Sequence, residues 1–193
     1  MDKAILARHG ESVFSAHALV NGDLSVAGPL TERGLQEARR LGEALADEPI
    51  ELCVTSEFER TRQTADVALA GRDVPSLVLP ELNDPSYGAF EGGPLDEYRA
   101  WTRSHGSGDA PPDGESRREL VARYARGFRI VLDRPEGTVL VVAHSLPISY
   151  VISAGMPART APVVGHATAY PLSADELRAA VARLEAWLAA PTW

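Results

Sequence analysis

Apolar and polar positions along the chain follow two kinds of spacing. Short, mainly apolar runs that read as strands stand at 3–7, 50–55, 75–79 and 138–143, and a further strand is expected over 165–171. Between them apolar residues recur every three or four positions, which predicts helices with one buried face. Leu35, Ala38, Leu41 and Leu45 mark a helix over 31–47, with Thr31 as its N-cap and Leu30 and Leu35 at hydrophobic-staple spacing. Ser56-Glu57-Phe58-Glu59 reads as a capping box opening a helix that runs to about Ala70 and stops at Gly71. Pro94 opens a helix over 94–103, and the Gly- and Pro-rich stretch 104–115 reads as a loop. Leu120, Tyr124, Phe128, Val131 and Leu132 share one face of a helix over 116–133. A helix follows the 138–143 strand to about Ala154, and Ser173 to Glu176 caps a last helix carrying Leu177, Val181, Leu184 and Leu188.

Strands alternating with helices predict an α/β fold, a three-layer sandwich whose central sheet is mainly parallel and covered by helices on both faces. Ligands bind such sheets outside the carboxyl ends of the strands. Two of the predicted strands run directly into a histidine there, His9 and His144. The whole chain, 1–193, reads as one domain, with 81–115 as a cap-like insertion over the site.

Composition narrows the function classes. The 193 residues carry 19 basic and 27 acidic side chains, a net charge of −8, which disfavours nucleic acid and anionic membranes as partners. The single cysteine, Cys53, excludes an intrachain disulfide and a thiolate zinc site. No apolar run is long enough for a signal segment or a membrane helix, so a cytoplasmic setting is expected. Oligomeric state is left open, with a dimer among the options.

Candidate chemistry gathers at the strand ends. In Arg8-His9-Gly10-Glu11-Ser12 an arginine fork suited to phosphate or carboxylate oxygens precedes a histidine, and a glycine suited to a tight turn follows. Arg60 stands in the first turn of the helix after the second strand, where the helix dipole already favours an anion. Glu81, Asp84 and Glu91 compete for the role of an acid, and residue physics does not choose among them. His144-Ser145 closes the most buried strand, and a polar group there needs a partner or a task. No HxH or HExxH spacing supports zinc, and arginine neighbours favour an anion over a metal. His17, His105 and His166 are read as background: His105 as solvated, His166 as structural at the start of a late strand.

Arg8 to Ser12, Ser56 to Ala65 with its Arg60-Thr61-x-Gln63-Thr64 core, Leu82 to Gly88 with Phe90-Glu91-Gly92, Gly114-Glu115-Ser116 and Val142 to Ser145 follow one another in a familiar order. In that combination the chain resembles the histidine phosphatase superfamily, the phosphoglycerate mutase-like proteins, from residue 3 to about 172. The resemblance implies that His9 is a nucleophile that becomes phosphorylated. It implies that Arg8, Arg60 and His144 clamp the phosphoryl oxygens, and that Asp84, rather than Glu81 or Glu91, is the proton donor. Ser15 stands where the family often has asparagine, Ser145 where it often has glycine, and Asp84 where it often has glutamate. Ser15, Asn21, Gly22 and Ser145 are the expected substrate-binding set. The implied activity is hydrolysis of a small-molecule phosphomonoester with no cofactor and no metal. Two alternatives stand beside it: a phosphoglycerate-type mutase, and a non-catalytic module that binds phosphate or phosphopeptide. Specificity would come from the 11–23 and 81–115 segments.

Overall fold

A computed structural model describes residues 1–153 and 163–192. Five strands form one sheet: β1 (Lys3–Arg8), β2 (Leu52–Thr55), β3 (Ser76–Val78), β4 (Thr138–Ala143) and β5 (Ala169–Ser173), in the order β3-β2-β4-β1-β5. The first four run parallel, and β5 joins β1 antiparallel at the edge. The helices are α1 (Glu32–Ala44), α2 (Glu59–Ala68), α3 (Leu95–Ser104), α4 (Arg117–Leu132), α5 (Ser145–Ile152) and α6 (Ala174–Ala189).

The pleat divides the core in two. On β1 and β4, Ala4, Leu6, Val139, Val141 and Ala143 face Leu120, Tyr124 and Phe128 of α4, Ile148 of α5 and Leu177, Val181 and Leu184 of α6. Ile5, Ala7, Leu140 and Val142 point the other way, onto Leu41 of α1 and Ala65 and Ala68 of α2. Helices therefore cover both faces, and β4, buried at every position, must be apolar on both sides. A third, smaller cluster of Val20, Tyr87 and Tyr98 ties α3 to the loops above the sheet.

Where the structure departs from the sequence expectations, the cause is local. Ser56 does not form the expected capping box on α2: the N-cap is Phe58, without a side-chain bond, and the Ser56 hydroxyl accepts from the Phe58 amide at 3.3 Å while also bonding His144 and Thr61. The late strand spans 169–173 rather than 165–171. His166 makes only an isolated bridge to Arg8, and Ala167, at φ 43°, turns the chain before β5 begins. The expected end of the fifth helix, Ala154, lies outside the described residues. The capping boxes of α4 (Ser116, Glu119) and α6 (Ser173, Glu176) are both formed.

Register positions the site. β1 and β4 are parallel with Arg8 opposite Ala143, and the His9 amide donates to the Ala143 carbonyl at 2.9 Å. His9 and His144 therefore leave the sheet side by side. Gly10 is needed for closeness rather than for a turn: a Cβ there would come within 2.5 Å of the Gly34 carbonyl oxygen on α1.

Candidate active site

A cavity of about 530 Å³ opens over the carboxyl ends of β1 and β4. Its floor is Arg8, His9, Arg60 and Asp84, beside the fully buried His144. The His9 and His144 rings meet edge to face, centroids 5.3 Å apart.

His9 is almost completely buried, and its Nδ1 lies 2.7 Å from the Gly10 carbonyl oxygen. A carbonyl only accepts, so Nδ1 carries the proton. Burial first, then the charges of Arg60 and Arg8, hold the ring well below the usual histidine range. A neutral ring protonated at Nδ1 has its lone pair on Nε2, the arrangement a nucleophile requires.

His144 is oriented by a hydroxyl relay. Thr61 Oγ1 donates to the Phe58 carbonyl at 2.8 Å and is hydrogen-bonded to Ser56 Oγ at 2.9 Å. Ser56 Oγ is hydrogen-bonded in turn to His144 Nε2, also at 2.9 Å. The other ring nitrogen, Nδ1, faces Asp84 Oδ2 at 3.4 Å and has no hydrogen-bond partner. Burial, Arg60 and His9 keep this ring neutral as well.

Arg60 is buried in the first turn of α2, its guanidinium 4.1 Å from the centroid of the Phe58 ring. It donates to Asn21 Oδ1 at 2.7 Å, to the Asn21 carbonyl at 2.9 Å and to Asp84 Oδ2 at 3.0 Å. Arg8 gives one amino group to the Val164 carbonyl at 3.0 Å, and its Nε is buried without a partner.

Of the three candidate acids, Asp84 alone lines the cavity. Burial raises its carboxyl above the ordinary carboxylate range, against the pull of Arg60, Arg8 and Arg123. Glu91 is spent on the backbone, accepting from the amides of Gly22 and Tyr87, both at 2.8 Å. Glu81 sits beside α4. The loop that carries Asp84 is held by Arg123 of α4, which donates to the carbonyls of Glu81, Asn83 and Asp84 and pairs with Glu115 at 2.7 Å. Sequence reading missed Arg123, which looked like one more polar position on an amphipathic helix.

The expected substrate-binding set divides. Ser15 and Ser145 line the cavity, with the Ser15 hydroxyl bound into its own turn with Ser12. Asn21 also lines it, but its side-chain oxygen is committed to Arg60 and its amide to the Asp23 carbonyl, so it positions Arg60. Gly22 does not line the cavity; it packs under Pro85, whose carbonyl oxygen would lie 1.9 Å from a Cβ there.

Among the described residues, no part of 104–115 lines the cavity. That segment packs on the loop at 85–90, through the Pro112 carbonyl on the Ala89 amide and the Glu115 amide on the Ser86 carbonyl. The upper wall comes instead from α3, through Leu95, Tyr98, Arg99, Thr102 and Arg103. His105 is half-buried and stacked on Trp101 at 4.1 Å rather than solvated, and His17 is exposed and does not line the cavity. His166, read from sequence as structural, lines the cavity with its ring 5.9 Å from His9. Among the described residues, no group of three His, Cys, Asp or Glu side chains could hold a metal ion, and no helix is long and apolar enough to cross a membrane.

The chain is similar to known proteins. A family model, the histidine phosphatase superfamily (branch 1), matches residues 4–184. An adenosylcobalamin/alpha-ribazole phosphatase of Salmonella typhimurium is 33% identical over 158 residues, covering 77% of this chain and 76% of that protein. A "Probable phosphoglycerate mutase GpmB" of Erwinia tasmaniensis is 29% identical over 168 residues, covering 82% and 77%. Among solved structures, the alpha-ribazole phosphatase from Shigella flexneri superposes with a TM-score of 0.74 at 26% identity, covering 88% of this chain and 89% of that one.

Proposed function

The chain belongs to the histidine phosphatase superfamily, and we propose on that premise that it hydrolyses a small-molecule phosphomonoester through a phosphohistidine formed on His9. The observation that carries this reading is the state of His9: neutral, protonated on Nδ1 by its bond to the Gly10 carbonyl, and set between two arginines at the cavity floor.

The chemistry follows from the geometry. Nε2 of His9 attacks phosphorus as the ester P–O bond breaks, and Asp84, with its raised affinity for a proton, protonates the leaving oxygen. Asp84 is then a carboxylate. It takes a proton from water as that water attacks the phosphohistidine, which releases phosphate and restores both residues. Arg8, Arg60 and His144 stabilise the charge spread over the equatorial oxygens, which is most of what phosphoryl transfer asks of a protein.

The rest of the cavity suits the organic part of a substrate. Phe14, Leu19, Val20, Leu95 and Tyr98 supply apolar wall, and a space of about 530 Å³ takes far more than a phosphate group. The relatives named as mutases support a second reading, transfer of the phosphoryl group back to a phosphoglycerate-like substrate instead of to water.

The test is turnover of 4-nitrophenyl phosphate with alkaline quenching. Wild type should release nitrophenol and yield an acid-labile, base-stable phosphoenzyme, and His9→Ala should do neither. Equal inertness of both across aryl, sugar and nucleoside phosphates overturns the enzymatic reading and leaves a phosphate-binding module. Multiple-turnover hydrolysis without a bisphosphate primer separates phosphatase from mutase.

A further inference from the structure

We propose that His166 is a further ligand of the transferring phosphoryl group, donating a hydrogen bond from Nε2 with the Glu37 carboxylate behind its Nδ1. The inference rests on the phosphatase reading and adds a residue to that site.

Three buried nitrogens around His9 have no hydrogen-bond partner: Arg8 Nε, His144 Nδ1 and His166 Nε2. They belong to the chain neighbour of His9 and to the two rings that contact it, at 5.3 and 5.9 Å. Leaving a buried polar atom unpaired is costly, so three around one nucleophile point to a ligand that satisfies them together. A phosphoryl group offers three equatorial oxygens.

A structural histidine satisfies at least one ring nitrogen within the protein. His166 satisfies neither: Nε2 is unpartnered, and Nδ1 is 3.9 Å from Glu37 Oε2, beyond hydrogen-bond range. Its backbone is nevertheless firmly set. The Ala167 amide donates to the Arg8 carbonyl at 2.9 Å, and Ala167 holds a left-handed φ of 43°. A non-glycine residue in that region is uncommon, and this one turns the chain so that His166 stays beside β1. Glu37, itself buried, is fixed by the Glu11 amide at 2.8 Å and by Arg33 Nε at 3.0 Å.

The groups facing the ring are Arg8 and His9 at the end of β1, Glu11 in the following loop, and Arg33 and Glu37 of α1. Burial and Arg8 outweigh Glu37 and Glu11 and bring the ring down to about 4, so it is neutral in the free protein. A neutral ring next to Glu37 keeps its proton on Nδ1 and presents a lone pair at Nε2, which repels a phosphoryl oxygen. Binding a phosphate dianion therefore draws one proton from solvent onto Nε2. The imidazolium then bridges anion and carboxylate.

The test is calorimetric binding of inorganic phosphate at pH 7, in buffers of different ionisation enthalpy, to wild type, His166→Ala and His166→Gln. Wild type should take up protons on binding. His166→Ala should bind about tenfold or more weakly, as for a lost hydrogen bond to a charged group, and take up fewer protons. His166→Gln, which keeps an amide donor, should recover part of the affinity and none of the lost uptake. Should the alanine variant not fold, the glutamine variant decides through its proton count. Wild-type affinity and uptake in the variants overturn this inference while leaving the phosphatase reading intact. Failure of wild type to turn over any phosphomonoester strikes the phosphatase reading instead.

Discussion

Asp84 shows how much one side chain depends on its surroundings. It is one of three loop carboxylates within eleven positions, and spacing alone does not separate it from Glu81 and Glu91. Position in space does: Glu91 staples two backbone amides, Glu81 lies by α4, and Asp84 stands over the floor with 17% of its side chain exposed. If it protonates the leaving oxygen, Asp84→Asn should lower kcat/KM by about 10²–10⁴-fold on an alkyl phosphate. The loss should be much smaller on 4-nitrophenyl phosphate, whose leaving group needs no proton. Equal losses on both would remove Asp84 from the acid's role. The histidines make a separate prediction about stability. His9, His144 and His166 are all held below the ordinary value near 6.5 by burial and arginine charge. Below that value the unfolded chain binds more protons than the folded one, so stability falls as pH falls, by about 1.4 kcal/mol per pH unit for each histidine. Asp84 acts in the opposite sense, because its raised proton affinity favours the folded state in acid. Three groups outweigh one between about pH 6.5 and 5. Urea midpoints taken across that interval should drop, less steeply in His9→Asn; a flat wild-type profile sinks the idea.

At the scale of elements, legibility tracked how local the cause was. β4 and α4 could be read because their patterns depend on burial alone, and both appear within a residue or two of expectation. His9 and His144 meet because parallel pairing puts Arg8 opposite Ala143, so two apolar runs ending in histidine sufficed to place them together. Ser56 misled because its spacing to Glu59 imitates a capping box, whereas its hydroxyl is taken up by the distant His144. His166 and Arg123 were invisible for the same reason: each acts on a residue at least 39 positions away, and no local pattern marks that. Arg123 ties α4 to the Asp84 loop through three carbonyls and a paired carboxylate, with 17% and 18% of the two side chains exposed. Arg123→Ala leaves Glu115 without its partner and the loop without its clip. The expected cost is about 3 kcal/mol in urea unfolding, as for breaking a mostly buried ion pair from one side. It should also lower kcat more than it raises KM, since it misplaces the acid and not the phosphate clamp. Unchanged stability and kcat would show the clip to be dispensable.

The whole molecule is acidic, yet its cavity is not. Against a net charge of −8, Arg8, Arg60, Arg99, Arg103 and Arg117 line the cavity, with Asp84 its one lining carboxylate among the described residues. Arg99 is tethered to Asp96 at 3.5 Å, while Arg103, one helical turn on, stands at the same wall. An acidic exterior repels a phosphate dianion at long range, and a cationic cavity attracts it at short range. Walls of low dielectric concentrate that local field. The two contributions have different reach: at about 0.15 M salt, charges beyond roughly 8 Å are largely screened. Rim arginines should therefore matter most for capture at low ionic strength. Arg103→Glu should lower kcat/KM for a dianionic phosphomonoester by roughly tenfold in dilute buffer, with kcat reduced far less. Raising salt to about 0.5 M, where the screening length falls to a few ångströms, should shrink the gap between variant and wild type. A gap that persists unchanged in high salt would mean that Arg103 contacts the substrate directly instead of steering it. No gap at any salt concentration would mean that the field at the floor suffices for capture.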